Sequence, residues 1–214
     1  MLETATRLVL IRHGETAWNR ETRIQGHTDI PLSPLGLAQA ERLAEALADE
    51  PLAAIYASDL SRARQTAEAL ARVHELPIRL DAALRERAFG RFEGLSWQEI
   101  DQSFPKDAAR WRRREPDFPV GGGESLTVFS TRCLEAARRA AAAHPGQSVA
   151  LVAHGGVLDC LYRAATRVAL DAPRSWQLGN ATINRVLATA DGFTLVGWND
   201  DRHLAGLSAD DIAA

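Results

Sequence analysis

Histidine and arginine recur in this sequence directly after short aliphatic runs. Residues 7–11 lead into Arg12-His13-Gly14-Glu15-Thr16, residues 53–56 into Ser58-Asp59-Leu60-Ser61-Arg62, and residues 149–153 into His154-Gly155-Gly156. A guanidinium is a planar fork of donors that matches a phosphoryl group, so Arg12 and Arg62 together could hold most of its oxygens. Gly14 lacks a side chain and would let its backbone N–H approach the same oxygens. An imidazole with an ordinary pKa of about 6.5 is a competent nucleophile at neutral pH, so one nitrogen of His13 could attack phosphorus while a hydrogen bond fixes the other. His154, if protonated, would add positive charge around the transferring group. The departing alkoxide needs a proton, and Glu86, in Leu84-Arg85-Glu86-Arg87, is the candidate acid. Singly, each residue has a plainer reading as a structural histidine, a surface arginine or a solvated carboxylate. It is their convergence that suggests phosphoryl chemistry.

That convergence requires the aliphatic runs to be neighbouring parallel strands, because sites in such sheets form beyond the carboxyl ends of the strands. The runs at 7–11, 53–56 and 149–153 lack polar alternation, as expected for strands covered on both faces. Residues 183–188 and 193–198 flank Asp191-Gly192 and read as a hairpin. Between the strands lie helical segments. Ser33-Pro34 starts one over 35–48, and others are predicted over 61–73, 96–104, 108–114, 125–143 and 155–167. Strands alternating with helices give an α/β fold with a mainly parallel sheet. Residues 81–123 break the rhythm with Gly90, Gly94, an arginine- and tryptophan-rich stretch and Gly121-Gly122-Gly123, and read as an insertion covering one end of the sheet.

A chain of 214 residues suits a single domain, here taken as 1–214. Its net charge of −3 supplies no global basic field, which argues against nucleic acid as a partner. Cys133 and Cys160 are too few for a disulfide framework or a cysteine metal cluster, and read as buried reduced thiols. The first apolar run stops at Arg12, too short for a signal-peptide core, and no stretch is long and apolar enough to span a membrane. The expectation is a soluble cytoplasmic protein.

Taken in order, the segments Leu10-Ile11-Arg12-His13-Gly14-Glu15-Thr16, Trp18-Asn19, Arg23-Ile24-Gln25-Gly26, Pro31-Leu32-Ser33-Pro34-Leu35-Gly36, Ser58 to Thr66, Leu84 to Gly90, Gly123-Glu124-Ser125 and Val152 to Gly156 resemble the histidine phosphatase superfamily, also called the phosphoglycerate mutase-like family. The resemblance runs from about residue 7 to residue 203. It implies a three-layer α/β/α sandwich with a mixed, mostly parallel sheet and a short helical cover. It implies that His13 is phosphorylated in turnover, that Arg12, Arg62 and His154 form the phosphate pocket, and that Glu86 is the proton donor. Asn19, Gln25 and Gly26 would lie on the loop lining the substrate phosphate, with Thr16 beside the nucleophile, and Gly155 is a further candidate for substrate binding. The family uses no metal and no organic redox cofactor. Homodimers occur in it, and the sequence shows no patch diagnostic of one.

The family contains phosphatases and mutases that share this pocket. The stretch between Glu86 and Gly123 is shorter than the insertion that closes over the bisphosphate in mutases, and an open cover admits water to the phosphoenzyme. The lysine that mutases carry shortly after the proton donor is absent, with Trp97 about where it would fall. Trp111-Arg112-Arg113 points the other way, since it resembles the element with which mutases grip a second acidic group. Its plain reading is an exposed basic helix with Arg110 and Arg114 alongside. Trp198 to Leu204 resembles the carboxyl-terminal segment of short bacterial phosphatases. The expectation is therefore a phosphatase of small phosphorylated metabolites, with a phosphoglycerate mutase as the alternative. Sugar phosphates, phosphoglycerates and nucleoside-like phosphates are candidate substrates. Phe89, Phe92, Trp97 and Trp111 are candidates for an apolar wall beside the leaving group, with at least two expected in the core of the cover.

Overall fold

In a computed structural model, which describes residues 5–208, alternate residues of strand β1 (Thr6–Arg12) point into two different cores. Leu8 and Leu10 join one cluster with Phe129, Cys133, Val157 and Leu161, whereas Val9 and Ile11 join another with Leu43, Leu47, Ala67 and Leu70. The remaining strands are β2 (Leu52–Ala57), β3 (Ile78–Leu80), β4 (Ser148–Ala153), β5 (Ile183–Thr189) and β6 (Gly192–Asp200), in the spatial order β3-β2-β4-β1-β5-β6. Strands β3, β2, β4 and β1 are parallel, and β5 runs antiparallel to both β1 and β6. Helices α2 (Pro34–Ala46) and α3 (Ser61–His74) cover one face, and α6 (Leu126–Ala142) and α7 (Gly155–Thr166) cover the other. This is the α/β/α sandwich with a mixed, mostly parallel sheet that the sequence predicted.

Local signals set the helix ends. The Ser33 side chain accepts from Gly36 N and Pro34 occupies the first turn of α2, while Ser125 caps α6 by accepting from Val128 N. Three features depart from the sequence reading. Strand β3 was not anticipated; it has three residues, two of them exposed, too few to show a period. A short helix, α1 (Ala17–Arg20), is held by a capping box between Thr16 and Asn19. The helix expected over 108–114 is α5 (Pro105–Arg112), which starts earlier because Pro105 suits a first helical position and stops before Arg114, whose φ is 53°.

With α4 (Trp97–Ser103), α5 forms the cover, which has its own core of Phe92, Ile100, Ala108, Phe118 and Val120. Among the described residues no helix is long and apolar enough to cross a membrane. Cys133 and Cys160 are both buried and free.

One packing constraint bears directly on the loop after β1. A Cβ added to Gly14 would collide with the Gly36 carbonyl, and one added to Gly36 would collide with the Glu15 carbonyl. The loop therefore lies backbone to backbone against the first turn of α2. Gly36→Ala is expected to cost about 1–3 kcal/mol of stability, the usual penalty for overpacking a rigid contact. Urea denaturation checks this, and an unchanged midpoint would mean that the two backbones have room to part.

Candidate active site

Strands β2, β4 and β1 are adjacent and parallel, so the loops that follow them meet at one edge of the sheet. The ladder continues past the strands: His13 N donates to Ala153 O at 3.0 Å, and Ser58 N donates to Val152 O at 3.0 Å. His13 and His154 consequently stand edge to face, with ring centroids 5.1 Å apart.

Both rings are buried, and their hydrogen bonds define their protons. His13 Nδ1 lies 2.7 Å from Gly14 O, an acceptor, so Nδ1 carries the hydrogen and Nε2 keeps its lone pair. Burial, followed by the charges of Arg62 and Arg12, pushes the His13 pKa well below 6.5. His154 Nδ1 accepts from Arg62 Nε at 3.2 Å, and its Nε2 donates to Ser58 Oγ at 2.9 Å. Burial and Arg62 also push His154 well below 6.5. The protonated His154 considered from sequence is thus replaced by a neutral ring, whose lone pair is already taken by an arginine.

Arg62 is fully buried in the first turn of α3. Its Nη1 donates to Thr28 O at 3.0 Å and its Nη2 to Gly26 O at 2.7 Å. Arg12 Nη1 donates to Leu178 O at 2.7 Å, while its buried Nε has no partner among the described residues. Burial lowers both guanidinium pKa values to about 10, with Glu86 opposing the shift, so both remain cations at neutral pH. Gln25 Oε1 is likewise buried without a partner. A half-turn of that amide puts a donor there instead. Unmet donors beside two cations suit an oxyanion.

The loop that positions Arg62 is itself pinned by a residue that sequence reasoning missed. Glu93 accepts from His27 N, Thr28 N, Thr28 Oγ1 and Phe89 N, all within 3.1 Å. Burial alone would raise the Glu93 pKa, but these hydrogen bonds outweigh it and hold the carboxyl below its ordinary range. Four further residues were also missed. Ser58 fixes His154. Thr66 Oγ1 accepts from Gly14 N at 3.0 Å and donates to Arg62 O at 2.8 Å. The Gly14 N–H is therefore committed to Thr66, and the glycine serves close packing rather than phosphate approach. Asn180 Nδ2 donates to His13 O and Gly14 O and reaches Asn19 Oδ1 at 3.2 Å. The fourth, Gly156, shapes the seat of Glu86. Thr16 and Asn19 lie in the same network as cap and capping partner of α1.

Glu86 lies at the N-terminus of α7. Its Oε2 accepts from Gly156 N at 2.9 Å and its Oε1 from Arg87 N at 2.8 Å. A Cβ on Gly156 would collide with Glu86 Oε1, so glycine is needed there for the carboxylate to sit down on the helix end. Gly155 lies against Arg12: an added Cβ would be 3.6 Å from its Nε. Beyond Glu86 opens a cavity of about 160 Å³ whose lining includes Phe89, Trp111, Arg114, Asp159 and Arg174. Arg112 and Arg113 do not line it. They are exposed and paired with Asp101 and Glu115, so the plain reading of that pair holds. Arg114, expected beside them, instead turns inward. Of the four aromatics, Phe92 is core, Phe89 and Trp111 line the cavity, and Trp97 is exposed with its ring 4.2 Å from that of Trp111.

Two predictions follow from this geometry. Because His13 and His154 are neutral in the fold but bind protons near pH 6.5 when unfolded, stability should fall as pH drops below 6.5 toward their depressed native values. Urea midpoints at about pH 7.5 and 5.5 should differ in wild type and differ less in His154→Gln. Glu93→Gln puts an amide NH2 against N–H donors. It should cost about 1–3 kcal/mol and loosen the loop that carries the Arg62 contacts; an unaltered melting temperature would remove Glu93 from that role.

Known proteins resemble this chain over nearly its whole length. The family model described as histidine phosphatase superfamily (branch 1) matches residues 8–201. Phosphoglycerate mutase-like protein 4 of Arabidopsis thaliana is 39% identical over 92% of this chain and 86% of its own. The metal-independent phosphoserine phosphatase of the same plant is 36% identical over 94% of this chain and 84% of its own. Among solved structures, a mycobacterial glucosyl-3-phosphoglycerate phosphatase superposes with a TM-score of 0.82 at 32% identity, covering 92% of this chain and 99% of that one. With the family model spanning both histidines, both arginines and Glu86, the chain belongs to branch 1 of the histidine phosphatase superfamily.

Proposed function

We propose that the protein is a metal-independent phosphatase that hydrolyses small phosphomonoesters through a phosphohistidine on His13. The observation that carries this reading is a neutral imidazole with its Nε2 lone pair uncommitted, standing beside the Arg62 and Arg12 guanidinium groups, the second with a buried Nε that has no partner among the described residues. In the first step Nε2 bonds to phosphorus, the ester P–O bond breaks, and Glu86 gives its proton to the departing oxygen. In the second, water attacks phosphorus, the N–P bond breaks, and Glu86 takes the proton of the water. Arg12 and Arg62 hold the equatorial oxygens throughout, with His154 orienting Arg62 and with Gln25, Gly26, Thr16, Asn19 and Gly155 around them. The relatives named as phosphatases favour hydrolysis.

The mutase reading draws on the name of the other plant relative. Against it, the two arginines expected to grip a second acidic group are occupied at the surface.

Phosphate release from a panel of phosphomonoesters in EDTA, with His13→Ala as control, tests the proposal. Release that survives chelation and vanishes in the variant is expected. Interconversion of 2- and 3-phosphoglycerate without net release would overturn it in favour of the mutase. In the same assay Glu86→Gln should slow alkyl esters far more than p-nitrophenyl phosphate, whose leaving group hardly needs a proton. Equal losses on both would remove Glu86 from the acid role.

A further inference from the structure

Arg132 lies on α6, 46 residues along the chain from Glu86, yet its whole guanidinium is directed at the segment that carries that carboxylate. Its Nη1 donates to Ala83 O and Arg85 O, both at 2.9 Å, and its Nη2 to Glu86 O at 3.2 Å. Nε and the second Nη2 hydrogen go to Glu124, at 2.9 and 2.7 Å. Every N–H of the fork therefore has an acceptor. Glu124 extends the grip, since its Oε2 also accepts from Ala88 N at 2.9 Å. The backbone of residues 83–88 is thereby held from the start of α6.

The carbonyls of residues 83, 85 and 86 converge on one point, and their lone pairs would repel one another without a cation between them. Arg132 stays that cation: burial would lower its pKa, but the hydrogen bond to Glu124 outweighs burial and raises it. His27, on the loop that holds Arg62, donates its Nε2 hydrogen to the same Glu86 O at 2.9 Å. The Arg132 guanidinium also lies over the Phe129 ring, 5.0 Å from its centroid. That ring packs beside Gly156, on which the Glu86 carboxylate sits. Arg132 itself is outside the lining of the cavity beyond Glu86, so its influence on a reaction runs through the segment it holds.

Building on the phosphatase reading, we infer that Arg132 is a positioning residue for the proton donor: by clamping the carbonyls of residues 83, 85 and 86 it aims the Glu86 carboxyl at the oxygen that leaves phosphorus. With its backbone held at O and its side chain held at Gly156 N and Arg87 N, Glu86 has little freedom to turn. Proton transfer needs a heavy-atom separation of about 2.6–3.2 Å, so a carboxyl that swings free fails as an acid although it is still present. Phosphorus is gripped elsewhere, by Arg12 and Arg62, whose hydrogen bonds go to Leu178 O, Gly26 O, Thr28 O and His154. Loss of the clamp therefore damages proton delivery as the P–O bond breaks and spares the attack by His13.

The test is a comparison of leaving groups. kcat/KM is measured for p-nitrophenyl phosphate and for the alkyl ester of the panel that the wild type hydrolyses fastest, in wild type, Arg132→Met, Glu86→Gln and the double variant. Arg132→Met should lower the ratio of alkyl to aryl ester by about tenfold, a smaller shift of the same kind as in Glu86→Gln. In the double variant the ratio should equal that of Glu86→Gln alone, because an absent acid has no position to lose. If Arg132→Met does not fold, Arg132→Lys, which keeps the charge but not the fork, is read in the same way. Equal losses on both esters, or a further fall of the ratio in the double variant, make Arg132 a brace of the fold alone and overturn the inference, with the phosphatase standing. If the wild type hydrolyses no ester the phosphatase fails, and if it hydrolyses the aryl ester alone the phosphatase stands. In both cases hydrogen exchange at Gly156 N, whose hydrogen the Glu86 carboxylate accepts, decides the clamp. Exchange about tenfold faster in the variant, with the amides of β4 unmoved, supports it. A rate unchanged, or raised alike in β4, overturns it.

Discussion

Arg62 is a full positive charge with no solvent exposure, and the site is arranged around keeping it there. An isolated buried cation costs several kcal/mol, so its donors must be met. Three of them are, by Gly26 O, Thr28 O and His154 Nδ1, which ties one guanidinium to the loop at 25–28 and to the end of β4. The helix that delivers it is braced from the same loop, since Asp29 accepts from both Ser61 N and Ser61 Oγ. Remove the charge and the loop loses its anchor, His154 loses the partner that sets its tautomer, and Ser58 loses the N–H it receives.

The second consequence is electrical. Burial beside two guanidinium groups makes a proton on either histidine unfavourable, so the pocket keeps its positive charge on arginine and its lone pair on His13. On the proposed function, donors are fixed before a ligand arrives, and little reorganisation remains to be done when charge moves onto the transferring oxygens. The N-terminus of α7 adds its partial positive charge at the same point, where Glu86 already sits on the helix end.

Much of this was legible in the sequence because it depends on strand ends. A run such as residues 149–153 is buried along its whole length, so its lack of alternation names both the strand and its two covered faces, and the residue that follows must emerge at the sheet edge. Helix α2 was readable from Ser33-Pro34. What stayed hidden acts through contacts between distant segments. Ser58, Thr66, Asn180 and Glu93 are ordinary polar residues whose roles arise only when segments far apart in the chain are packed together. Ser58, Thr66 and Gly156 lay inside recognised motifs, but the purpose of Gly156, leaving room for the Glu86 carboxylate, is a matter of a collision that only coordinates reveal. Arg114 escaped because a helix was assumed to continue through it, and a single left-handed residue reverses which way its side chain faces.

The cover has a core of its own. Its apolar cluster is distinct from the two that flank the sheet, and it is fastened to the rest at several points: Glu93 to the loop at 27–28, Arg23 to Gly94 O and Glu99, Ile24 to Gly94 and Leu95 through the backbone, and Arg87 to Glu124 O and Phe118 O. The reacting groups on β1, α3 and β4 sit on the other side of those fastenings. On the proposed function, the cover faces what is carried on the ester oxygen, while the ends of β1 and β4 and the first turn of α3 carry the groups proposed to hold phosphorus. Because residues 94–99 also pair with Arg23 and Ile24, next to the carbonyls that hold Arg62, a change of shape in the cover is transmitted to that guanidinium through one short loop.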